Sequence, residues 1–179
     1  MKVISNSKNR GFSLIELLIC VVVIGIIAAI AIPNLLAGRR SANEGSAISD
    51  LRLFHGAQMT YATSMGRGNF AGDASSAVTT GSFTQLGAVG TIDSLLAGGT
   101  KNGYVFTGGK IDATATLAAS FCARAVPISN SGPFSTGPRN IAIATGGVLN
   151  GGDAVDPANA GCSSTSGSFT ITSASPIGN

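Results

Sequence analysis

Residues 10–20 read RGFSLIELLIC and set a carboxylate, Glu16, almost at the beginning of an apolar run that ends at Ile32. The sixteen residues from Leu17 to Ile32, LLICVVVIGIIAAIAI, carry no charge. Counted from Phe12, the run is about 21 residues long, and an α-helix of that length spans about 30 Å, the hydrocarbon thickness of a bilayer. The sequence therefore predicts one membrane-length helix, and no later run is long and apolar enough to cross again.

The charges around this run predict its orientation. Lys2, Lys8 and Arg10 lie in the first eleven residues, which contain no acid, and basic flanks stay on the cytoplasmic side of membranes. The rest of the 179-residue chain has 11 − 3 = 8 basic and 8 acidic residues, hence no net side-chain charge. Without a basic stripe to follow a phosphate backbone, nucleic acid is excluded as a principal partner. We expect one domain on the far side of the membrane.

The apolar run could also belong to a signal that is cleaved behind it. Ala29 and Ala31 are small residues suited to a conventional cleavage site, and Cys20 could be the cysteine of a lipoprotein signal. Pro33 directly after the cut and the acid Glu16 inside the run disfavour the conventional signal. The large residue before Cys20 disfavours lipidation, so we expect the helix to be retained.

The segment GFSLIELL, Gly11–Leu18, follows the basic leader and precedes the apolar run. In this it resembles the class III signal of type IV pilins and pseudopilins. The resemblance implies that residues 1–11 are removed by a prepilin peptidase, which cuts after Gly11 and methylates the new N-terminal Phe12. It further implies that residues 12–33 form a transmembrane helix that later enters the core of a filament. There Glu16 meets the terminal amine of a neighbouring subunit.

A cut at this position explains why the chain tolerates Glu16. A carboxylate costs about 2.5–3.5 kcal/mol at the centre of a membrane helix and less near its end. Cleavage creates a protonated amine at Phe12, and Glu16 follows four residues later on the same helical face, near the positive helix N-terminus. Because desolvation offsets most of the attraction, we interpret this pair as a device for register and assembly rather than for stability.

Gly25 and Pro33 are expected to disturb the helix. Gly25 costs about 1 kcal/mol relative to Ala, and Pro33 lacks an N–H and clashes with the carbonyl of Ala29. We predict a kink or local break here, as the resemblance implies for related filaments. A membrane helix that is merely bent is the alternative.

The head, residues 34–179, is predicted to begin with a second, amphipathic half of the same helix at 34–65. One apolar stripe contains Ile48, Leu51, His55, Met59 and Ala62, widened by Ala47 and Phe54. The charged residues mostly take other faces: Arg39, Arg40, Glu44, Asp50 and Arg52. The helix should end near Gly66, where a glycine-rich region begins. The first half thus requires lipid or other copies of itself, and the second half requires a sheet.

Beyond the helix we predict a connecting loop at 66–103, with a short helix around Ile92–Leu96, and a sheet with a C-terminal tail at 104–179. Strands are predicted at Tyr104–Gly109, Ala115–Val126, Asn140–Ala144, Val148–Leu149 and Phe169–Thr172, with a tight turn at Thr145-Gly146-Gly147.

The predicted fold class is α+β, a long helix packed on a small antiparallel sheet. The stretches ANEGSAISDLR, DSLLAGGTKNGYVFT and GPRNIAIATGGVLN resemble a group of pilins with such a roll. Many of these have Asp where this chain has Thr145, so no acidic role is transferred to that turn.

Cys122 and Cys162 both lie in the exported head, where disulfides persist. A bridge would close about 40 residues and tie the C-terminal region to a strand, stabilising the head by about 4 kcal/mol on the chain-entropy model. The resemblance favours this bridge because pilin heads often pin their C-terminal region in this way, and two free thiols are the alternative. Cys20 in the apolar run is read as a small hydrophobic residue.

The sequence offers little for catalysis or cofactor binding. His55 is the only histidine, and its place on the packing face favours a structural role. No zinc cluster and no phosphate-binding loop can be assembled, so no catalytic residue, no metal site and no cofactor is predicted. Asp153 and Asp156 are too few for a convincing calcium site, although calcium in this region occurs in some pseudopilins. A calcium site is therefore a weak alternative.

The leading interpretation is a structural subunit of a type IV pilus, since contacts between copies that do not close generate filaments. The resemblance implies further partners in the prepilin peptidase, an inner-membrane platform, an assembly ATPase and an outer-membrane secretin. It also implies a stay in the inner membrane before the subunit reaches the cell surface. A major pseudopilin of a type II secretion system is the second interpretation. A binding domain on an uncleaved anchor is the third.

Overall fold

The long helix predicted from the apolar and amphipathic runs is continuous in the computed structural model, which describes residues 11–73, 78–153, 161–165, 168–172 and 175–177. Helix α1 covers Leu14–Ser64. The chain divides into two compact units between Ala37 and Gly38. The first unit contains the apolar run, and the second contains the rest of α1 together with the sheet.

Gly25 and Pro33 do not interrupt α1. The helix runs from Leu14 to Ser64 with Pro33 inside it, so the local break predicted here is absent from the structure of the single chain. A proline removes one donor from the helical hydrogen-bond ladder, and in this chain the remaining bonds keep the helix in register. A Cβ added at Gly25 would meet no atom within 4 Å, so this glycine is not required by packing within the chain.

The second half of α1 packs against the head, but its buried stripe is rotated from the predicted one. The buried residues are Glu44, Ala47, Asp50, Leu51, Phe54, Ala57, Gln58 and Ala62. Ile48, His55 and Met59, which the periodicity placed at the centre, are only half-buried. The prediction that Glu44 and Asp50 face away from the core was wrong, because each has a basic partner in the head.

The connection between α1 and the sheet is more structured than predicted. Helix α2, Gly81–Ala88, lies where only loop was expected, and helix α3, Ser94–Ala97, is the short helix predicted around Ile92–Leu96. Phe83 and Leu86 of α2 are fully buried, so hydrophobic contacts with the core stabilise a helix that its two glycines disfavour. The Asp93 carboxylate caps α3 by accepting from the backbone N–H groups of Leu95 and Leu96, each at 3.0 Å.

The described strands form two antiparallel sheets. The bounds are β1 Thr100–Lys101, β2 Tyr104–Ile111, β3 Ser120–Pro127, β4 Arg139–Ala144, β5 Leu149–Asp153, β6 Gly161–Thr165, β7 Ser168–Thr172 and β8 Ser175–Pro176. The larger sheet has the order β1-β2-β3-β4-β5-β8, and β6 pairs with β7. This is the α+β arrangement that the sequence predicted.

The individual strand predictions differ in accuracy. The predicted turn at residues 145–147 connects β4 and β5, with Gly147 at φ +75°, a value that favours glycine. Residues 115–119 were wrongly predicted as strand. Thr114 N donates to Leu117 O at 2.9 Å and Leu117 N donates to Thr114 Oγ1 at 3.1 Å, so this part of the chain turns instead of pairing. The strands β6 and β8 were not predicted.

Aromatic rings form the centre of the core, between α1, α2 and the larger sheet. Phe54 stacks on Phe83 with ring centroids 4.1 Å apart and meets Phe121 edge-on at 6.0 Å. Phe70 contacts Phe121 at 4.6 Å, and Phe106 contacts Phe83 at 5.9 Å. Such pairs contribute about 0.5–1.5 kcal/mol each beyond the burial of their area. Phe54 therefore joins α1 to both α2 and β3.

Polar contacts fix the position of α1 along the head. Asp50 accepts a hydrogen bond from Lys101 Nζ at 2.8 Å, and Glu44 pairs with Arg139. Gln58, which is fully buried, donates from Nε2 to Ala71 O at 2.9 Å and accepts from Ala71 N at 2.8 Å. These contacts give partners to Glu44, to Gln58 and to the Oδ1 atom of Asp50 on the buried face of α1, where an unpaired group is costly, while Asp50 Oδ2 is buried without a hydrogen-bond partner.

The structure contains the disulfide between Cys122 of β3 and Cys162 of β6. The two Cα atoms are 5.8 Å apart, and the bridge joins positions 40 residues apart in the sequence. It links the two sheets covalently, because β3 belongs to the larger sheet and β6 to the smaller one. Cys20 is a free, exposed cysteine.

Candidate functional site

The candidate functional site is the N-terminal segment that begins at Gly11. Residues 11–13 precede α1, and Leu17 N donates to Ser13 O at 3.2 Å in the first turn. Glu16 lies in that turn, where its carboxylate is close to the positive end of the helix dipole. Phe12 lies four residues before Glu16, at the same end of the helix.

The apolar residues of this segment have no partner within the described part of the chain. Every large hydrophobic residue from Phe12 to Ile32 is exposed, and the exposed fraction reaches 72% at Phe12 and 82% at Leu14. By length and composition, one described helix, α1, could cross a membrane, and none of its apolar window is buried. Removing apolar surface from water is favourable by about 25 cal/mol per Å². The segment therefore requires lipid or another chain around it.

Glu16 has no hydrogen bond or ion pair with any residue in the described ranges. A Cβ added at Gly11 would meet no atom within 4 Å. Neither residue thus contributes to the folding of this chain through a contact the structure describes. Residues that stand in a fixed spacing without an intramolecular role are suited to recognition by another molecule.

Comparison with known proteins identifies this segment. Residues 6–32 match the family model of the prokaryotic N-terminal methylation motif. The chain is 45% identical over 56 residues to the type IV major pilin protein PilA of Myxococcus xanthus, and 60% identical over 35 residues to the type IV wide pilus major component PilA4 of Thermus thermophilus. It is also 36% identical over 47 residues to the type II secretion system core protein G of Escherichia coli. The N-terminal segment is thus similar to those of type IV pilins and of type II secretion core proteins.

The similarity to these pilins and pseudopilins is confined to part of each chain. The matches cover 31%, 20% and 26% of this chain for the three proteins in the order named. They cover 26%, 27% and 32% of the relatives, so the chain spans about a quarter to a third of the length of the proteins it matches. No solved structure gives a significant match.

His55 packs within the head, against the turn between β4 and β5 and against Phe121. His55 Nε2 lies 3.2 Å from Thr145 O, and its ring contacts Phe121 with centroids 5.5 Å apart, which agrees with a packing role. In the described ranges no group of three or more His, Cys, Asp or Glu residues could hold a metal ion. Asp156 and the side chain of Asp153, which suggested calcium, lie outside what the structure describes.

The ion pairs Lys101–Asp50 and Arg139–Glu44 of the head could not be predicted from the sequence, because their partners lie 51 and 95 residues apart along the chain. The pKa of Lys101 is raised, chiefly by its hydrogen bond with Asp50, while the N–H groups at the start of α3, with that of Leu96 foremost, lower the pKa of Asp93. Burial raises the pKa of Tyr104. Lys101 and Asp93 each favour the ionised form of the other, as expected for a structural ion pair.

Proposed function

We propose that this chain is the structural subunit of a type IV pilus. Its leader is removed between Gly11 and Phe12, the new N-terminus is methylated, and the apolar half of α1 packs with identical helices into the core of an extracellular filament. The match of residues 6–32 to the methylation motif carries the proposal. The pilin relatives and the exposed large hydrophobic residues in the apolar half of α1 support it.

Glu16 gives the filament its register. In a bundle of identical apolar helices, hydrophobic association alone is not directional, because sliding one helix along another exchanges similar contacts. A single carboxylate among apolar residues removes this freedom, since it is stable only beside a cation. The terminal amine of a neighbouring Phe12 provides that cation after cleavage. The ion pair therefore selects one offset between adjacent subunits, although its net contribution to stability is small.

Gly25 and Pro33 act at a later stage in this proposal. The helix is continuous at both positions in the single chain, yet Pro33 leaves one carbonyl without its helical partner. We propose that local loss of helical bonding between these residues occurs on packing into the filament. Before assembly the subunit crosses the inner membrane once, with its N-terminus in the cytoplasm. In this proposal the prepilin peptidase, the membrane platform, the assembly ATPase and the secretin act on the subunit, and the chemistry of processing and assembly belongs to them.

The N-terminal mass of the protein isolated from cells tests the proposal. The expected fragment begins at Phe12 and carries one additional methyl group. Gly11→Val is the matched control, because a Cβ at Gly11 meets no atom within 4 Å and the change leaves the folded head intact. This variant should retain its leader. A natural product that begins before Gly11 would contradict the proposal and favour a binding domain on an uncleaved anchor.

A second candidate function is that of a major pseudopilin. The type II secretion system core proteins G of Escherichia coli and Klebsiella pneumoniae are among the relatives of this chain, at 36% identity over 47 residues and 33% over 54 residues. A pseudopilin would share the cleavage, the methylation and the role of Glu16. Electron microscopy of intact cells separates the two functions, because long surface filaments that contain this chain are expected for a pilus subunit.

A further inference from the structure

The loop between β3 and β4, residues 128–138, holds an exposed aromatic side chain in a defined conformation. Phe134 is 79% exposed, and Ile128 at the start of the loop is 58% exposed. The loop is closed by Thr136 N, which donates to Ser129 O at 2.8 Å, and by Ser129 N, which donates to Thr136 Oγ1 at 3.2 Å. A large apolar ring fixed in water on a closed loop is a candidate contact surface.

This loop is fastened to the first turns of α1 that belong to the head. Arg40 Nη2 donates to Gly132 O at 3.1 Å and to Pro133 O at 2.7 Å. Asn43 Nδ2 donates to Thr136 O at 2.9 Å. Because Phe134 directly follows Pro133, its backbone lies at the level of Arg40 along α1. The ring is therefore presented at the end of the head from which α1 continues toward Gly38.

Arg40, the charged side chain whose hydrogen bonds hold the Phe134 loop, is basic. From Leu17 to Asn43 the only charged residues are Arg39 and Arg40, and residues 128–138 contain no charge. The next acid along α1, Glu44, is paired with Arg139. Arg39, Arg40, Ile128 and Phe134 together form what we name the Phe134 surface. Basic residues beside aromatic and aliphatic side chains are the composition of protein surfaces that lie at a membrane interface.

We propose that the Phe134 surface rests on the lipid headgroups of the bilayer that holds the apolar run, before the subunit is assembled. Eight positions separate Ile32 from Arg40, and a chain of that length reaches about 28 Å even when fully extended. The covalent link thus keeps this surface near the bilayer. Anionic headgroups neutralise Arg39 and Arg40, and the Phe134 ring enters the boundary between headgroups and acyl chains.

A lipid partner fits this surface better than a second copy of the chain. A second copy that docked with the same surface would bring two further positive charges to the contact, and like charges disfavour association. Phosphates of anionic lipids are instead attracted to guanidinium groups. The inference goes beyond the proposed function and shares with it only the anchoring of the apolar run in a membrane.

Tryptophan fluorescence tests the inference, because the chain contains no Trp. The full chain is reconstituted in vesicles of phosphatidylcholine and phosphatidylglycerol whose acyl chains carry bromine near the headgroup. Phe134→Trp is compared with Val148→Trp, since Val148 is also an exposed apolar residue in a loop, at 55% exposure. Its turn contacts α1 at His55, fifteen residues beyond Arg40. We expect several-fold stronger quenching for Phe134→Trp, and weaker quenching when Arg39→Gln is added.

The possible results separate this inference from the proposed function. Equal quenching of the two variants, or no quenching of either in chains that float with the vesicles, would overturn the inference alone. Emission of Phe134→Trp that is shielded from aqueous iodide but unaffected by bromine would overturn it too, because another copy would then cover the ring. Quenching that is equally strong in phosphatidylcholine alone would overturn the role of Arg39 and Arg40. A chain that does not float at all would contradict membrane anchoring and the inference together.

Discussion

The two halves of α1 differ in how far they are buried by the rest of the chain. From Leu14 to Ile32 every large hydrophobic side chain is exposed, whereas from Glu44 to Ala62 one face is buried against the head. The first half is uniform, apolar and almost free of charge. The second half carries Glu44, Asp50 and Gln58 on its buried face, each with a hydrogen-bond partner in the head.

This difference teaches that one helix can be designed for two kinds of partner. The buried polar residues of the second half accept only the groups that the head presents at fixed positions, so its packing is specific within the chain. The first half has a single charged group, Glu16, which has no hydrogen bond or ion pair within the described ranges. In the function proposed above, folding and assembly are thus assigned to different turns of one continuous helix.

The strongest test of this division is Glu16→Ala. We expect a chain that is cleaved and inserted into the membrane but yields almost no filaments, because the register of the apolar bundle is lost while the head is unaffected. Filament yield from sheared cells and the N-terminal mass are measured together. Arg52→Ala, a change of one exposed charge on α1 within the head, serves as the control and should preserve most of the yield. Normal filaments from Glu16→Ala would remove the assembly role of this residue.

The second test compares a large side chain in each half. Phe54→Ala removes a ring between α2 and β3 and should lower the free energy of unfolding of the head by about 3–5 kcal/mol. Ile24→Ala, at a position that is 64% exposed, should change it by less than about 0.5 kcal/mol. Denaturant titration of the full chain in detergent micelles, followed by the fluorescence of Tyr61 and Tyr104, both in the head, measures both. Similar losses from the two variants would refute the division of α1.

The third test compares cysteines of the two regions. Cys162→Ser opens the bridge that closes 40 residues, and the chain-entropy model gives a loss of about 4 kcal/mol in head stability. Cys20→Ser in the apolar run should leave the stability of the head unchanged. The same titration is made with and without reductant. Reduced wild-type protein should then behave like Cys162→Ser, and a wild-type protein indifferent to reductant would argue against the bridge.

The smallest expected effect is electrostatic and is confined to the head. The lowered pKa of Asp93 means that its contribution to stability is present above pH 4, near the usual pKa of about 3.9, and is lost as the pH falls through the lowered value. Asp93→Asn keeps a capping side chain but removes the charge, so we expect a loss of about 0.2–1 kcal/mol at pH 7, with a smaller difference from wild type at pH 2. Asp93→Ala also removes the cap, so it should cost about 1 kcal/mol more than Asp93→Asn at both pH values. Unfolding titrations at the two pH values distinguish charge from cap.

Lys101, which pairs with Asp50 and Asp93, gives stability the opposite dependence on pH. Lys101 has a raised pKa, so its contribution is complete below its usual value of about 10.4 and is lost as the pH rises through the raised value. The contribution of Lys101 to stability, measured as the difference between wild type and Lys101→Met, should therefore decline only above about pH 10. Loss of this difference near neutral pH would contradict the contact between Lys101 and Asp50.

Local signals made the N-terminal segment and the ends of α1 predictable. The spacing of Gly11, Phe12 and Glu16 is complete within six residues, and the helix predicted to end near Gly66 ends at Ser64. Helix α2 was missed because its stability comes from Phe83 and Leu86 in the core, while its own glycines favour a loop. Contacts with distant residues cannot be read from a local pattern.

Two further differences have the same physical origin. Glu44 and Asp50 were expected on exposed faces because charge normally avoids the core, yet their partners Arg139 and Lys101 lie 95 and 51 residues away. The Phe134 surface was likewise not predicted, since Arg40 fixes a loop more than ninety residues later in the chain. Residues 115–119 show the reverse error, because they were predicted as strand from their local pattern while the hydrogen bonds between Thr114 and Leu117 close a turn.

The contact of Gln58 with Ala71 has a consequence for how this protein can vary. The primary amide offers one donor and one acceptor to a single main-chain residue, which is what a neighbouring peptide group would offer. One carboxamide thus imitates a missing sheet neighbour where no strand passes. Insertions after Ala71 would leave both hydrogen bonds intact. Gln58→Glu would instead place an acceptor against the Ala71 carbonyl and release Ala71 from α1.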